Sequence, residues 1–289
     1  MEHASQARSS KLHNGWHGAR HVATYLLLTI GAIFVSAPLL WMISSSLKGH
    51  GAVFQYPPQL IPKPAYWSNY PTALRAEPFF IFFRNTAFVT LLNIIGGTLA
   101  SSIVGFSFAR LRWWGRDVLF LICLATMMLP YQVTLIPQYV IFKTLHWIDS
   151  FYPLWVPAFF GVPFLIFLSR QFITTIPREL DDAARIDGCG WFGIYWRIIL
   201  PQTRPVLATC AIFLFNWNWN DFIGPLIYLN SKNKLTLSIG LAFFRSAAYG
   251  TNWNYIMAVS VFAVAPVIIL FFFAQRYFIQ GIVFTGIKG

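Results

Sequence analysis

One short segment of the sequence concentrates the side chains that could do chemistry. Four of the nine acidic residues, Glu179, Asp181, Asp182 and Asp187, lie close together, and the flanking sequence is mostly apolar. Clustered carboxylates are typical of metal sites, of acid–base catalysis and of charged docking surfaces. Because these acids alternate with alanine and arginine and lack metal-ligand spacing, the pattern argues against a metal site, and by charge alone it favours an ordinary amphipathic loop over a docking surface.

The composition places most of the chain in lipid. Of 289 residues, 57% are hydrophobic and only 10% are charged, whereas a soluble domain carries about 25% charged residues. The net charge of +12 does not indicate nucleic-acid binding, because the basic residues are scattered singly and form no stripe. The three cysteines are odd in number and far apart, which favours neither a disulfide framework nor a zinc site.

The apolar runs predict an all-α polytopic membrane protein with six transmembrane helices. A helix needs about 20 apolar residues to cross a bilayer, and it satisfies its own backbone hydrogen bonds there. The predicted spans are residues 22–46, 85–109, 117–140, 151–173, 205–229 and 254–276. Prolines within several of them predict kinks.

The distribution of Lys and Arg predicts that both termini are cytoplasmic. The expected organisation is a cytoplasmic tail (1–21), a transmembrane domain (22–276) and a second cytoplasmic tail (277–289). The largest inner loop, residues 174–204, contains the acidic segment, which therefore faces the cytoplasm.

The acidic segment reads as two short helices joined by a sharp turn. Pro177 suits a helix start, and the acids that follow lie near the positive end of the helix dipole. Leu180, Ala183, Ala184 and Asp187 have the spacing of one helix face, with small residues that allow close approach. Gly188 and Gly190 permit the turn, and an apolar helical pattern then runs to Pro201.

The spacing of this segment resembles that of a known family, the membrane subunits of binding-protein-dependent ABC importers. The cytoplasmic signature of that family is Glu-Ala-Ala, three residues, Gly, nine residues and then Ile-x-Leu-Pro. The matching positions here are Asp182, Ala183, Ala184, Gly188, Ile198, Ile199, Leu200 and Pro201. Asp182 replaces the usual Glu, which keeps the charge and shortens the side chain.

Two further segments resemble the maltose-type, carbohydrate-importing branch, in particular its second, six-span permease. They are FNWNWNDFIGPLIYL at 215–229 and QRYFIQGIVFTGIKG at 275–289. The resemblance covers nearly the whole chain from the first span onward, and it implies the ABC importer permease fold.

The resemblance also implies roles. The loop would be a coupling helix that sits in a cleft of a cytoplasmic ATPase subunit. The residues assigned to this contact are Glu179, Asp182, Ala183, Ala184, Gly188, Ile198, Leu200 and Pro201. The carboxyl-terminal Gly286, Lys288 and Gly289 would reach the same subunits, although a frayed end is the alternative. An ordinary amphipathic loop is the alternative for the acidic segment.

The implied assembly contains a second permease subunit, two ATP-binding cassette subunits and an external sugar-binding protein, in the bacterial inner membrane. The loop 230–253 would contact the binding protein or serve only as a connector. ATP and Mg would be bound by the partner subunits, with no cofactor on this chain.

Polar residues within the fifth predicted span are candidates for a translocation pathway. They are Asn216, Trp217, Trp219, Asn220 and Asp221. Indole faces suit the C–H surfaces of sugars, and amides and carboxylates suit their hydroxyls. The alternative is a structural network that holds the fifth helix to its neighbours.

The sequence predicts a transport subunit that is not an enzyme. It has no G-x-x-x-x-G-K-[ST] loop to hold nucleotide phosphates. A self-sufficient secondary transporter is the alternative, but it normally needs ion-coupling carboxylates at mid-membrane, and only Asp221 is available. A membrane enzyme would have to use the acidic loop.

His13, His17 and His21 would share a helix face and could bind a metal weakly, but their basic, juxtamembrane position favours a surface role.

Overall fold

A computed structural model describes the backbone of residues 2–246 and 252–283 and the side chains of residues 20–244 and 252–275. Over those residues the chain forms helices and no strand, which confirms the all-α prediction. The α-helices are α1 (Glu2–Ser46), α2 (Asn69–Ala76), α3 (Phe79–Arg110), α4 (Arg116–Thr126), α5 (Tyr131–Thr144), α6 (Tyr152–Trp155), α7 (Pro163–Thr174), α8 (Glu179–Ile186), α9 (Trp191–Ile194), α10 (Leu200–Gln202), α11 (Arg204–Trp219), α12 (Ile223–Tyr228), α13 (Leu237–Ser246) and α14 (Trp253–Val283). Three 3₁₀ turns occur at Ala52–Phe54, Val156–Phe160 and Lys232–Lys234, and a π turn occurs at Tyr195–Ile199.

Among the described residues, four stretches are long and apolar enough to cross a membrane unaided. They are Arg20–Ser46, Phe79–Arg110, Tyr152–Thr174 and Trp253–Gln275. Two further spans exist if each bent helix pair is counted as one, which gives up to six. The four unaided stretches overlap four of the six predicted spans.

The third and fifth predicted spans are not straight helices. The predicted span 117–140 is the pair α4 and α5, bent by 100° at a break that ends at Pro130. Proline cannot donate a backbone hydrogen bond and disfavours helix at the preceding residue, so the break lies where the sequence requires it. The predicted span 205–229 ends early, at Trp219, and α12 follows after a break.

The first and last spans belong to longer helices. Helix α1 begins at Glu2 and α14 continues to Val283, and the apolar stretches within them, Arg20–Ser46 and Trp253–Gln275, agree with the predicted spans 22–46 and 254–276.

The chain divides into two compact units. The first comprises residues 1–72 and 251–261, and the second comprises residues 73–250 and 262–289. In the first unit the end of α1 is anchored by Asn69, whose Nδ2 donates to the carbonyl oxygens of Ser46 and Lys48 at 2.8 Å. Lys48 is buried, with its Nζ 3.7 Å from the centre of the Trp41 ring. Burial lowers the pKa of this lysine.

In the second unit α3 lies at the centre, packed against α7 and α11. Glycines on α3 allow this approach. A Cβ on Gly105 would lie 2.7 Å from the Ser169 Cβ and 3.0 Å from the backbone N of Arg170. A Cβ on Gly97 would lie 2.9 Å from a methyl carbon of Leu214. Small residues at helix contacts are typical of membrane proteins, where packing rather than water exclusion drives helix association.

Polar residues on α3 satisfy the backbone of neighbouring irregular segments. Asn93 Nδ2 donates to the carbonyl of Leu154 at 2.8 Å. Asn85 Nδ2 donates to the carbonyl of Leu235 at 3.0 Å, and the hydroxyl oxygen of Thr86 accepts the N–H of Leu237 at 2.8 Å. An unsatisfied backbone group in lipid costs several kcal/mol, so broken helices need such partners.

The glycine contacts give a stability prediction. Gly105→Ala is expected to destabilise the protein by about 1–3 kcal/mol, because the new methyl group overlaps the backbone of α7, which cannot yield as a side chain can. The matched control is Gly31→Ala in α1, where nothing lies within 4 Å of the new Cβ. Thermal unfolding of both variants in mild detergent measures the difference, and equal midpoints would contradict the packing described.

Candidate functional site

The acidic segment folds as the predicted pair of short helices. Helix α8 carries Glu179, Asp181 and Asp182 in its first turn, where carboxylates interact favourably with the helix dipole. Helix α9 starts after Gly190 and continues through the π turn into α10, which contains Leu200 and Pro201. Residues 178–201 are called the coupling segment below.

Gly188 forms the sharp turn between the two helices. Its φ of +82° lies in the left-handed region, where a side chain is strained and glycine is not. The N–H of Cys189 donates to the carbonyl of Ala184 at 2.9 Å, which closes the end of α8. Nothing lies within 4 Å of a Cβ built on Gly188, so the turn is open on its outer side.

One side of the coupling segment packs into the second unit. Its buried residues Ala184, Ile194, Tyr195 and Ile199 share a hydrophobic cluster with α3 and α7 residues, among them Phe106. The Tyr195 hydroxyl donates to Ser102 Oγ of α3 at 3.1 Å. The segment is therefore a packed part of the fold and not a free loop.

A buried ion pair joins the coupling segment to the end of α3. Arg110 Nε lies 3.1 Å from Asp181 Oδ2, and the two side chains are 2% and 6% exposed. Arg110 also donates from Nη2 to the carbonyl of Ile176 at 2.7 Å. Burial raises the pKa of the Asp181 carboxyl, and the nearby Arg110 charge opposes this shift.

This pair was not foreseen from the sequence. Arg110 lies far from the acidic cluster along the chain and follows an apolar run, as many cytoplasmic arginines do. The only sequence signal is a basic residue at the last turn of a span. Asp181, which the charge pattern places on the surface of the segment, is turned inward instead.

The structure separates the coupling residues by exposure. Ala184 is buried within the chain, so a partner would contact the neighbouring residues and not Ala184 itself. The exposed predicted residues are Glu179, Asp182, Ala183, Gly188 and Pro201, whereas Ile198 and Leu200 are half-buried. The exposed set includes the outer side of the α8–α9 turn.

The predicted pathway residues do not all face one way. Trp217 is 46% exposed and its ring lies 5.6 Å from that of Phe213. Trp219 is 6% exposed, stacks on Phe215 at 5.2 Å and donates from Nε1 to the carbonyl of Ala263 at 3.0 Å. The ring and N–H of Trp219 are therefore engaged within the chain, as the alternative of a structural network predicts, and Trp217 is the more exposed of the two indoles.

The remaining polar residues cluster at the end of α11. Asn216 and Asn220 are one helical turn apart, and each donates its amide to a carbonyl of its own helix four residues earlier. Asp221 is not inside a helix but in the break after Trp219, where its Oδ1 accepts the N–H of Gly224 at 3.2 Å. This side-chain acceptor replaces a backbone partner and explains why the helix is interrupted here.

The remaining predicted sites are the carboxyl-terminal tail and the amino-terminal histidines. Gly286, Lys288 and Gly289 lie outside the described residues, as do the side chains of His13 and His17. Among the side chains that the structure describes, no three His, Cys, Asp or Glu residues are grouped so that they could hold a metal ion.

The fold defines a multi-pass helical membrane protein in which the coupling segment is packed against the helices. Residues 97–283 match the family described as binding-protein-dependent transport system inner membrane component. The chain belongs to this family.

Relatives and solved structures agree with that assignment. The arabinooligosaccharides transport system permease protein AraQ of Halalkalibacterium halodurans is 34% identical over 270 residues, covering 91% of this chain and 96% of the relative. AraQ of Bacillus subtilis is 33% identical, covering 96% and 99%. A crystal structure of a bacterial ABC transporter involved in alginate import matches with a TM-score of 0.79 and 25% identity, covering 89% of this chain and 95% of the matched chain.

Family membership settles the class of transporter. The protein is a permease subunit of an ABC importer of the inner membrane, and the alternative of a self-sufficient secondary transporter is wrong. The resemblance read from the spacing of Asp182, Gly188 and Pro201 is confirmed at the level of the family.

The buried ion pair predicts unequal roles for two adjacent acids. Asp181→Ala is expected to cost about 3–5 kcal/mol, because it leaves the Arg110 charge buried without a partner. Asp182→Ala removes the same groups from an exposed position and is expected to change stability by less than about 0.5 kcal/mol. Thermal unfolding in detergent measures both, and Arg110→Leu combined with Asp181→Leu should regain part of the loss. Equal stability of the two single variants would contradict the pairing.

Proposed function

We propose that this chain carries a carbohydrate across the membrane as one of two permease subunits in an importer driven by partner ATPases. The observation that carries the proposal is the coupling segment: a packed inner face, an open outer turn at Gly188 and the complete family spacing. The relatives named as arabinooligosaccharide permeases, and one named as a starch degradation products permease, support a carbohydrate substrate.

The proposed assembly has three kinds of partner. A second permease subunit would complete the pathway, and two ATP-binding cassette subunits would bind ATP and Mg and supply all of the hydrolysis. An external sugar-binding protein would deliver the substrate, as the structure of an alginate transporter in complex with a substrate-bound periplasmic protein illustrates for a similar fold. This chain would perform no covalent chemistry and hold no cofactor.

In the proposed mechanism the coupling segment is the part of this chain that meets the ATPase. Both termini and the segment would be cytoplasmic, in keeping with the Lys and Arg distribution. Closure of the ATPase dimer would move the outer face at Asp182, Ala183 and Gly188. Because Asp181 is ion-paired to Arg110 at the end of α3, that movement would be transmitted to the membrane helix at the centre of the second unit.

Sugar contact is proposed for residues near the end of α11, where Trp217 and Asn220 are exposed and Asn216 is half-buried. Trp217 offers an indole face to sugar C–H groups, and Asn216 and Asn220 offer carboxamide groups. The neighbouring Trp219 is excluded from this role because its ring and N–H are engaged within the chain.

The coupling proposal is tested by copurification of the ATPase. Wild type, pulled down from its native membranes in mild detergent, should bring an ATP-binding subunit, and Gly188→Arg should lose it. Gly115→Arg is a matched control, because Gly115 also has a positive φ (+81°) with nothing within 4 Å of its Cβ, but lies outside the coupling segment. If neither wild type nor control brings an ATPase although both are folded and inserted, the proposed coupling is wrong.

The sugar-contact proposal predicts different defects for the two tryptophans. Trp217→Ala is expected to lower ATP-driven uptake by up to about tenfold at unchanged stability, because one stacking surface of about 1 kcal/mol is lost. Trp219→Ala is expected to destabilise the protein by about 3–5 kcal/mol.

Uptake of a panel of labelled oligosaccharides into proteoliposomes, with a thermal melt of each variant, separates these effects. Normal uptake by correctly assembled Trp217→Ala complexes would remove Trp217 from the pathway.

A further inference from the structure

A cavity of about 630 Å³ lies between the α3–α4 loop and the coupling segment. Its lining contains four arginines, Arg110, Arg112, Arg178 and Arg185, and two aspartates, Asp181 and Asp182. The volume is far larger than the about 30 Å³ of a water molecule, so a charged group of several atoms can enter.

The positive charge of this cavity is only partly neutralised from within the chain. Asp181 is already paired with Arg110. Over the residues that the structure describes, the exposed guanidinium groups of Arg112 and Arg178 have no ion pair, and Arg185 lies 5.3 Å from the centre of the Trp191 ring. Asp182 and Glu179, whose charge also acts on Arg110, are fewer than the three remaining arginines, so the cavity keeps an excess of positive charge and attracts an anion.

The exposed side chains around the α3–α4 loop indicate that the cavity lies at the level of lipid headgroups. Residues 111–115 connect α3 with α4, and exposed apolar side chains such as Leu119 and Ile122 begin within two turns of the loop. Trp114, in the loop itself, is 97% exposed. Indoles are enriched where the hydrocarbon region meets the headgroups, so this loop lies at that boundary.

We propose that this cavity binds the phosphate group of an anionic membrane lipid, such as phosphatidylglycerol. Basic pockets between membrane helices on the cytoplasmic side bind anionic headgroups, and planar guanidinium groups match phosphate oxygens in two-point hydrogen bonds. The bound phosphate bridges the α3–α4 loop, through Arg112, to the coupling segment, through Arg178 and Arg185. Neither Ala183 nor Gly188 lines the cavity, so most of the proposed ATPase contact remains free.

The experiment compares lipid selection by wild type and by the double variant Arg112→Gln with Arg178→Gln. The complex, purified through a tag on this chain, is exchanged into mixed phosphatidylcholine and phosphatidylglycerol, and retained lipids are counted by native mass spectrometry. Arg204→Gln is the matched control, because Arg204 is exposed, follows the coupling segment closely in sequence and is outside the cavity. Size-exclusion profiles confirm that each variant remains folded.

Wild type and Arg204→Gln are expected to prefer phosphatidylglycerol over phosphatidylcholine. In the double variant this preference is expected to fall about fivefold for each cavity arginine removed. Equal preference in all three proteins would overturn the proposal. Displacement of the retained lipid by millimolar inorganic phosphate would show a soluble-phosphate site instead. Loss of the ATPase subunit with unchanged lipid preference would show that these arginines bind protein, which would also overturn it.

Discussion

The buried contact between Arg110 and Asp181 is the interaction on which the rest of the functional structure depends. Two opposite charges with side chains only 2% and 6% exposed cannot separate without leaving a buried charge unpaired. The pair therefore fixes the distance between the last turn of α3 and the first turn of α8. Replacing such a pair by apolar residues is often neutral for stability, so its contribution here is better understood as positional.

Because this distance is fixed, a displacement of the coupling segment would be transmitted to α3. An exposed loop that moved independently would absorb a displacement imposed by a partner. The cluster around Phe106, Ala184 and Ile199 is packed, and packed interiors transmit strain because they have few voids. At the other end of this connection α3 closely contacts α7 at Gly105 and α11 at Gly97, so a displacement at α8 would reach α11, the helix that carries Trp217.

Local features of the fold were predictable from the sequence, and long-range pairings were not. The two-helix coupling segment followed from glycine positions and helical spacing, and Gly188 adopts the positive φ that such a turn needs. The break after Trp219 was missed because it depends on side chains that bond to the backbone, which hydropathy cannot detect. The different exposures of Trp217 and Trp219, and the pairing of Arg110 with Asp181, depend on tertiary contacts with distant residues.

The most direct test compares thiol labelling at two adjacent positions of α8, using the variants Ala183→Cys and Ala184→Cys. Each variant is made in a chain whose native cysteines, Cys123, Cys189 and Cys210, are replaced by alanine. The account predicts that a membrane-impermeant maleimide labels the exposed position 183 in the chain alone, and not the buried position 184. In the assembled importer, position 183 should be protected by the ATPase. Full labelling of position 183 in a complex that retains ATP-driven uptake would contradict the docking role of the coupling segment.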